Sequence, residues 1–234
     1  MERLRGYGRL RAGVFGGGSG GGGDPYFSSV VSLNHFEGAN LATTTTDQIA
    51  GTTWTLHTGN ISTTEFVAGA SSLYVPDASS GSAATVGGAV SSTASPGLTL
   101  AGEFTIEGFV SAQESGGSGI TVYYLSNSDF LQNSGLAITG SSQGISTSYT
   151  FPKNAWTHFA VTRDASNTVR LFFGGVLYGS TTSTSSLNYD GLSLGAPFAS
   201  TGTHNCYYDE FRITNGACRY TANFAPPAVP FPNS

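Results

Sequence analysis

Tyr207-Tyr208-Asp209-Glu210-Phe211-Arg212-Ile213-Thr214-Asn215-Gly216-Ala217-Cys218-Arg219-Tyr220-Thr221-Ala222-Asn223-Phe224-Ala225-Pro226-Pro227 is the stretch that decides the fold. Tyr207 to Thr214 alternates like a strand and stops at the turn pair Asn215-Gly216. A short aromatic segment follows. Pro226, Pro227, Pro230 and Pro232 then close the chain, in a segment that cannot be a central strand because proline lacks the ladder N–H.

Upstream, the same grammar repeats. Val30 to Phe36, Thr52 to His57, Ser72 to Val75, Phe104 to Val110, Ile120 to Leu125, Gly135 to Ile138 and Trp156 to Arg163 each read as a short strand. Val169 to Phe173 runs through Gly174-Gly175 into Val176-Leu177-Tyr178, a hairpin signal. Leu192 to Gly195 precedes the closing strand. There is no amphipathic helix of normal length. Many short strands separated by turns predict an all-β, two-sheet antiparallel β-sandwich of the jelly-roll type. By alternation, Trp54, Phe104, Phe109, Trp156, Phe159, Phe172 and Phe211 are expected in its core. Trp156 is expected inward, on a strand paired with Leu171-Phe172-Phe173. Asp209 shares a face with Phe211 and is expected inward, bonded to loop amides. Arg212 is expected on the opposite face.

The chain divides at residue 24. Residues 1–23 form a basic arm ending in the glycine-rich run 16–23, a flexible coil in isolation that by composition also suits an introduced linker. Residues 24–234 form the sandwich. Arg3, Arg5, Arg9 and Arg11 against Glu2 give residues 1–11 a charge of +3, which leaves −8 on the remainder of a chain whose formal total is −5. The body is therefore not expected to attract nucleic acid, while the arm is suited to carboxylate-rich partner surfaces. Charged residues make up only 10%, so the surface is hydroxyl-rich and nearly neutral. No apolar run approaches the ~18 residues of a membrane span. Glycines stand where a signal peptide needs its apolar core. Cys206 and Cys218 lie at opposite ends of an extended strand, and free thiols are expected.

The closing stretch resembles the end of the laminin-G-like, concanavalin A-type domains of tailed-phage virion proteins, which read YIDE-L/F-R-I-T-x-G-x-A-RYT-x-NF-x-PP. Leu33-Asn34-His35-Phe36-Glu37-Gly38, Gly69 to Tyr74, Phe104 to Val110, Trp156 to Arg163 and Leu171 to Val176 resemble further segments of that family, in order. Gly108 and Gly174 depart from it, standing where a larger residue and an aspartate are usual. The resemblance covers about residues 30–232 and not the arm. It implies a virion protein, a capsid decoration or tail component, assembled in the host cytoplasm in many copies. Arg3, Arg5, Arg9, Arg11 and Phe15 of the arm would hold other virion proteins. A carbohydrate-binding adhesin module of a tail fibre or cell surface is the alternative.

The fold family also contains glucanases, so catalytic carboxylates matter. A retaining pair must lie about 5 Å apart. Glu103 and Glu107 on one strand would be about 13 Å apart, and adjacent Asp209 and Glu210 would face opposite ways. No enzyme is expected. His35, His57, His158 and His204 lack metal or relay spacing, and His35 and His158 read as hydrogen-bonded strand histidines. No cofactor is expected. Calcium at the loop rim is the one ion the family leaves open, yet Asp47, Asp77, Asp129 and Asp190 are scattered and read as turn formers. Host-surface glycans are the expected small partners. Tyr123, Tyr124, Tyr178 and Tyr207 are the leading candidates to stack on a pyranose, with Tyr149, Phe198 and Tyr208 behind them.

Overall fold

The computed structural model describes residues 23–76, 98–113, 121–126, 129–134, 137–140, 143–189, 192–195 and 205–234. The arginines of the arm and Phe15 lie outside that set, as do Asp77, Asp190 and Phe198. The described chain is almost entirely strand and loop, with one 3-10 turn at Phe27–Ser29. In chain order the strands are β1 (Val30–Asn34), β2 (Thr44–Thr46), β3 (Thr53–Thr55), β4 (Asn60–Ser62), β5 (Ser72–Val75), β6 (Leu98–Leu100), β7 (Phe104–Ala112) and β8 (Thr121–Ser126). They continue as β9 (Asp129–Ser134), β10 (Ala137–Gly140), β11 (Ile145–Ser148), β12 (Trp156–Arg163), β13 (Thr168–Phe173), β14 (Val176–Thr182), β15 (Leu187–Tyr189) and β16 (Cys206–Asn215).

The expected antiparallel sandwich forms. An eight-stranded sheet runs β14-β13-β12-β7-β16-β5-β4, with β1 also pairing β16, and a four-stranded sheet runs β11-β10-β9-β8. The closing strand is the spine of the large sheet. One of its edges is taken by β7 along nearly its whole length. The other is shared, with β5 pairing Cys206 to Tyr208 and β1 pairing Phe211 to Thr214. Cys206 to Thr214 is buried throughout, because the inter-sheet core covers one face of this strand and the second cluster with the C-terminal segment covers the other.

Between the sheets, Phe104, Ile106 and Val110 of β7, Phe159 and Val161 of β12, and Leu171 and Phe173 of β13 meet Val122, Tyr123 and Leu125 of β8, Leu131 of β9 and Ile145 of β11. Trp54 and Phe211 complete this core. A second, smaller cluster covers the opposite face of the large sheet. It joins Val30, Leu33, Phe109 and Phe231, with Trp156, Val67 and Val229 half-buried against them.

Trp156 therefore faces away from the inter-sheet core, contrary to the expectation from alternation. Phe159 and Val161 take the inner positions of β12, which sends the even-numbered residues to the outer face. Phe109 and Phe172 are buried as expected, but on that outer face: Phe109 joins the second cluster and Phe172 lies against Tyr220 and Phe224. The strand carries apolar residues at both parities, so period-two reading identifies the two faces without saying which one meets the second sheet.

Gly108 has a steric reason. A Cβ there would lie 3.1 Å from the Phe159 ring and 3.4 Å from the Glu210 carbonyl oxygen. The Gly174-Gly175 turn supports the expected hairpin with positive φ at both residues. Gly175 also lets the closing segment dock, because a Cβ there would overlap the Phe224 carbonyl.

Cys206 and Cys218 are not joined in a disulfide. They lie at and beyond opposite ends of the ten-residue β16, and burial pushes the Cys206 thiol up to about 12. Among the described residues, no helix is long and apolar enough to cross a membrane.

Candidate functional site

A network of buried charged side chains lies on the outer face of the large sheet, beneath the C-terminal segment. Glu107 on β7 sits at its centre, wholly buried. Arg212 Nε and Nη2, from the neighbouring strand β16, donate to Glu107 Oε1 at 2.9 and 2.7 Å. His158 Nε2, from β12 on the other side, lies 3.2 Å from Oε2. The Tyr220 hydroxyl donates to the same oxygen at 2.8 Å. Arg212 and Arg219 in turn donate to Asp24 at the start of the sandwich. Burial alone would raise the Glu107 carboxyl, but the His158 bond and the Arg212 and Arg219 charges outweigh it and hold it at about 2. Asp24 is likewise held below the carboxylate range: burial opposes, and the Arg219 bond wins.

A β-bulge shapes the rest. Asp209 pairs with Phe109, while Arg212 pairs with Glu107, so β16 passes one more residue than β7 over this step. Glu210 takes up the extra residue with φ +55°. Three expectations are corrected here. Asp209 does not share the inner face with Phe211, and Arg212 is not opposite to it, because the bulge inverts the alternation between them. The loop amides expected for Asp209 are present: Val67 and Ala68 N–H donate to Oδ2 at 2.8 and 3.1 Å. Burial pushes Asp209 up to about 8 against those amides. Glu210 reaches the same outer side rather than the opposite one. It accepts from the Phe231 amide at 2.6 Å and meets His35 Nδ1 at 2.8 Å. The Glu210 bond raises the His35 pKa, with burial opposing. Asn233 holds the other ring nitrogen at 2.8 Å.

These contacts pin the closing segment at two places. Tyr220 and Phe224 stack at 3.6 Å over His158 and Phe172, and the Phe224 amide donates to the Gly175 carbonyl at 2.9 Å. Phe231 is held by Glu210 and by Arg212, whose guanidinium lies 4.0 Å from the ring centroid. Between the two anchors, residues 226–229 span a cavity of about 530 Å³. Its floor is Phe109, Trp156, Thr157 and His158, and its roof is Pro226, Pro227, Ala228 and Val229.

The tyrosines expected to stack on a sugar do not form one site. Tyr123 is 2% exposed and belongs to the inter-sheet core. Tyr207 is 8% exposed, covered by Tyr74 at 4.8 Å and flanked by Trp156 at 6.5 Å. For Tyr124 only a backbone position on β8 is described. Tyr178 is 41% exposed, beside exposed Val176 and Leu177 on the edge strand β14. Tyr149 stands edge-on to it at 4.9 Å and stacks on Phe173 at 4.1 Å. Tyr208 is buried in the core.

Asp47 is engaged locally, accepting from the Ser32 hydroxyl at 2.6 Å and from the amides of Ile49 and Ala50. Among the described residues, no cluster of three or more His, Cys, Asp or Glu could hold a metal ion. The Asp24–Arg219–Arg212–Glu107 cluster escaped sequence reasoning. Asp24 and Arg219 are 195 positions apart, and no local pattern connects them.

A two-layer antiparallel sandwich whose closing strand is the spine of the larger sheet defines a lectin-like domain. The Laminin_G_3 family model, described as the concanavalin A-like lectin/glucanases superfamily, matches residues 88–219. That is more than half of the chain, and the chain belongs to this family. Solved structures share the fold at low identity. The binding domain of paraclostridial mosquitocidal protein 1 superposes with a TM-score of 0.57 at 12% identity, over 83% of this chain and 50% of that one. Botulinum neurotoxin type C, which depends on interaction with two ganglioside molecules to get into cells, gives 0.56 at 10% identity, over 81% and 48%. A Trypanosoma rangeli sialidase gives 0.51 at 9% identity, over 80% and 30%. The chain thus spans half or less of the length of these structures. No curated protein matches it.

Proposed function

We propose that this chain is a structural component of a tailed-phage particle, a capsid decoration or tail protein present in many copies. Residues 1–23 anchor it to other virion proteins and the sandwich is displayed outward. The observation that carries the reading is the closing motif. Each of its charged side chains holds the domain together: Asp209 binds a loop, Glu210 and Arg212 bind the C-terminal segment, and Arg219 binds Asp24. A non-catalytic role is supported by the burial of Glu107, Asp209 and Glu210, which are engaged in these contacts. The −8 body supports display without nucleic-acid contact, and the +3 arm supports docking on acidic partner surfaces.

Deleting residues 1–23 tests the anchor. The truncation keeps Asp24 and its buried ion pairs with Arg212 and Arg219. The shortened protein is expected to melt within about 2 °C of the full chain, since it loses none of these contacts. It is also expected to be absent from purified particles, and the full chain's incorporation should weaken at high salt. A normal copy number for the truncated protein would move the attachment site to the sandwich.

The exposed Val176-Leu177-Tyr178 edge, with Tyr149 behind it, favours a second reading as a glycan-binding adhesin module. A Tyr178 ring stacked on a pyranose would contribute about tenfold in affinity. On a glycan array, the wild-type chain is expected to show a host-surface glycan signal that Tyr178→Ala reduces by that factor. Equal signals from the two proteins would remove Tyr178 from the reading.

A further inference from the structure

The cavity under residues 226–229 and the exposed Tyr178 edge form one site, joined by Tyr149. Tyr149 lines the cavity and stands edge-on to Tyr178 at 4.9 Å. Tyr178 is 41% exposed, and Trp156 is half-buried on the cavity floor. The cavity volume of about 530 Å³ falls within the range of about 300–1,000 Å³ common to small-molecule pockets. The space is preformed, because the segment above it is tied on one side through Phe224 to Gly175 and on the other through Phe231 to Glu210. Prolines 226 and 227 stiffen the span between those ties.

The walls select the ligand by three features. The first is aromatic surface: the Tyr178 and Trp156 rings suit the apolar faces of sugars. The second is a polar spot in apolar surroundings. Val67, Phe109 and Val229 make much of the wall apolar, and a sugar hydroxyl set against them would be buried without a partner. Tyr149 and Thr157, hydrogen-bonded to each other, bring hydroxyls that can both donate and accept. The His158 side chain is wholly covered and supplies nothing. The third feature is neutrality. Four of the nine lysines and arginines lie in the arm and five in the sandwich. Of these five, Arg163, Arg170, Arg212 and Arg219 are engaged with carbonyls or carboxylates, and Lys153 does not line the cavity. An acidic sugar entering there would meet no counter-charge.

We infer that this site binds a neutral oligosaccharide containing an N-acetylhexosamine. One sugar stacks on Tyr178 and the next enters the cavity. Its acetamido methyl lies against Trp156 and Phe109, and its amide bonds to the Tyr149 and Thr157 hydroxyls. The acetamido group matches the walls because it replaces a hydroxyl with one apolar methyl and one amide, whereas a plain hexose would present hydroxyls to apolar surface. The inference rests on the reading of the Tyr178 edge as a glycan-binding surface, to which it adds a second subsite and a ligand class. It does not depend on how the chain is anchored.

The test uses the full chain, with chitotriose, cellotriose and sialyllactose as probes, followed by calorimetry and ligand-observed NMR. Chitotriose and cellotriose share rings and linkage and differ only in the acetamido groups. Chitotriose is expected to bind with one-to-one stoichiometry, about tenfold more tightly than cellotriose, the ordinary contribution of one hydrogen bond and a buried methyl. Sialyllactose is expected to bind more weakly than chitotriose. Tyr149→Phe removes only a hydroxyl and should weaken chitotriose about fivefold, leaving cellotriose binding and the melting temperature unchanged. The inference is overturned if chitotriose does not bind, if cellotriose or sialyllactose binds as tightly, or if a folded Tyr149→Phe protein keeps the full preference for chitotriose. Equal binding of the two neutral trisaccharides, still weakened by Tyr178→Ala, would remove the cavity subsite and leave the edge reading standing. Binding of no glycan at all would remove both. Should Tyr149→Phe fail to fold, the comparison of the three probes on the wild-type chain decides alone.

Discussion

Glu107→Ala is expected to destabilise the domain by about 3–5 kcal/mol, the cost of removing one partner from a buried ion pair. The loss is large because the carboxylate is shared. Arg212 is 3% exposed and would retain only Asp24 as an ionic partner, while the Tyr220 hydroxyl and His158 Nε2 would lose their acceptor. Chemical denaturation measures this directly, and a change below about 1 kcal/mol would mean that the cluster contributes little beyond its net charge. The pH dependence gives a second measurement. Glu107 is held at about 2 in the folded chain, against an ordinary value of 4.5. Its contribution is therefore complete above about 4.5 and is lost as the pH falls from there towards 2. At about 1.4 kcal/mol per unit, that loss is on the order of 3 kcal/mol. Glu107→Gln is expected to flatten the acid limb of the stability curve. An unchanged limb would assign acid sensitivity to other groups.

Trp54→Ala is expected to cost about 3–5 kcal/mol, the range for deleting a fully buried large aromatic. Trp54 has no exposed surface and stands edge-on between Phe36 at 6.0 Å and Phe211 at 6.3 Å. It thereby ties the β2–β3 ribbon to the closing strand. Its indole N–H has no partner among the described residues, so Trp54→Phe should cost clearly less than Trp54→Ala. Trp156→Ala provides the contrast. Trp156 is only half-buried, on the outer face, and a loss of about 1–2 kcal/mol is expected from the area it covers. If Trp156→Ala proved as costly as Trp54→Ala, the assignment of the two tryptophans to different faces would be wrong.

Similarity to toxin binding domains and to a sialidase, at 9–12% identity, reflects a shared sandwich onto which different sites have been built. In this chain the closing segment builds the outer face. It crosses the outer face of the large sheet and turns that face into a second interior. Buried ion pairs and a cavity lie there, whereas the inter-sheet core is mainly hydrophobic, with Arg163 buried against Phe104.

The sequence by itself determined the fold class, most strand positions, the Gly174-Gly175 hairpin and the closing strand. Alternation, turn pairs and proline are local signals, and the backbone obeys them locally. It also placed His158 as a hydrogen-bonded strand residue and His35 as a hydrogen-bonded residue, which lies just past β1, and it expected no disulfide between the two cysteines. Tertiary structure decided what local signals cannot carry. Period two sorts the residues of a strand into two sets, but which set meets the other sheet depends on what covers each face, and this is how Trp156 came to lie outside. One extra residue at Glu210 inverted the alternation between Asp209 and Arg212, and nothing in a run of eight strand-forming residues marks where a bulge will fall. The cluster of Asp24, Glu107, His158, Arg212, Arg219 and Tyr220 draws on both ends of the sandwich domain. It exists only because β7, β12 and β16 lie side by side and the chain returns across them, bringing charges together that would be too costly to bury apart.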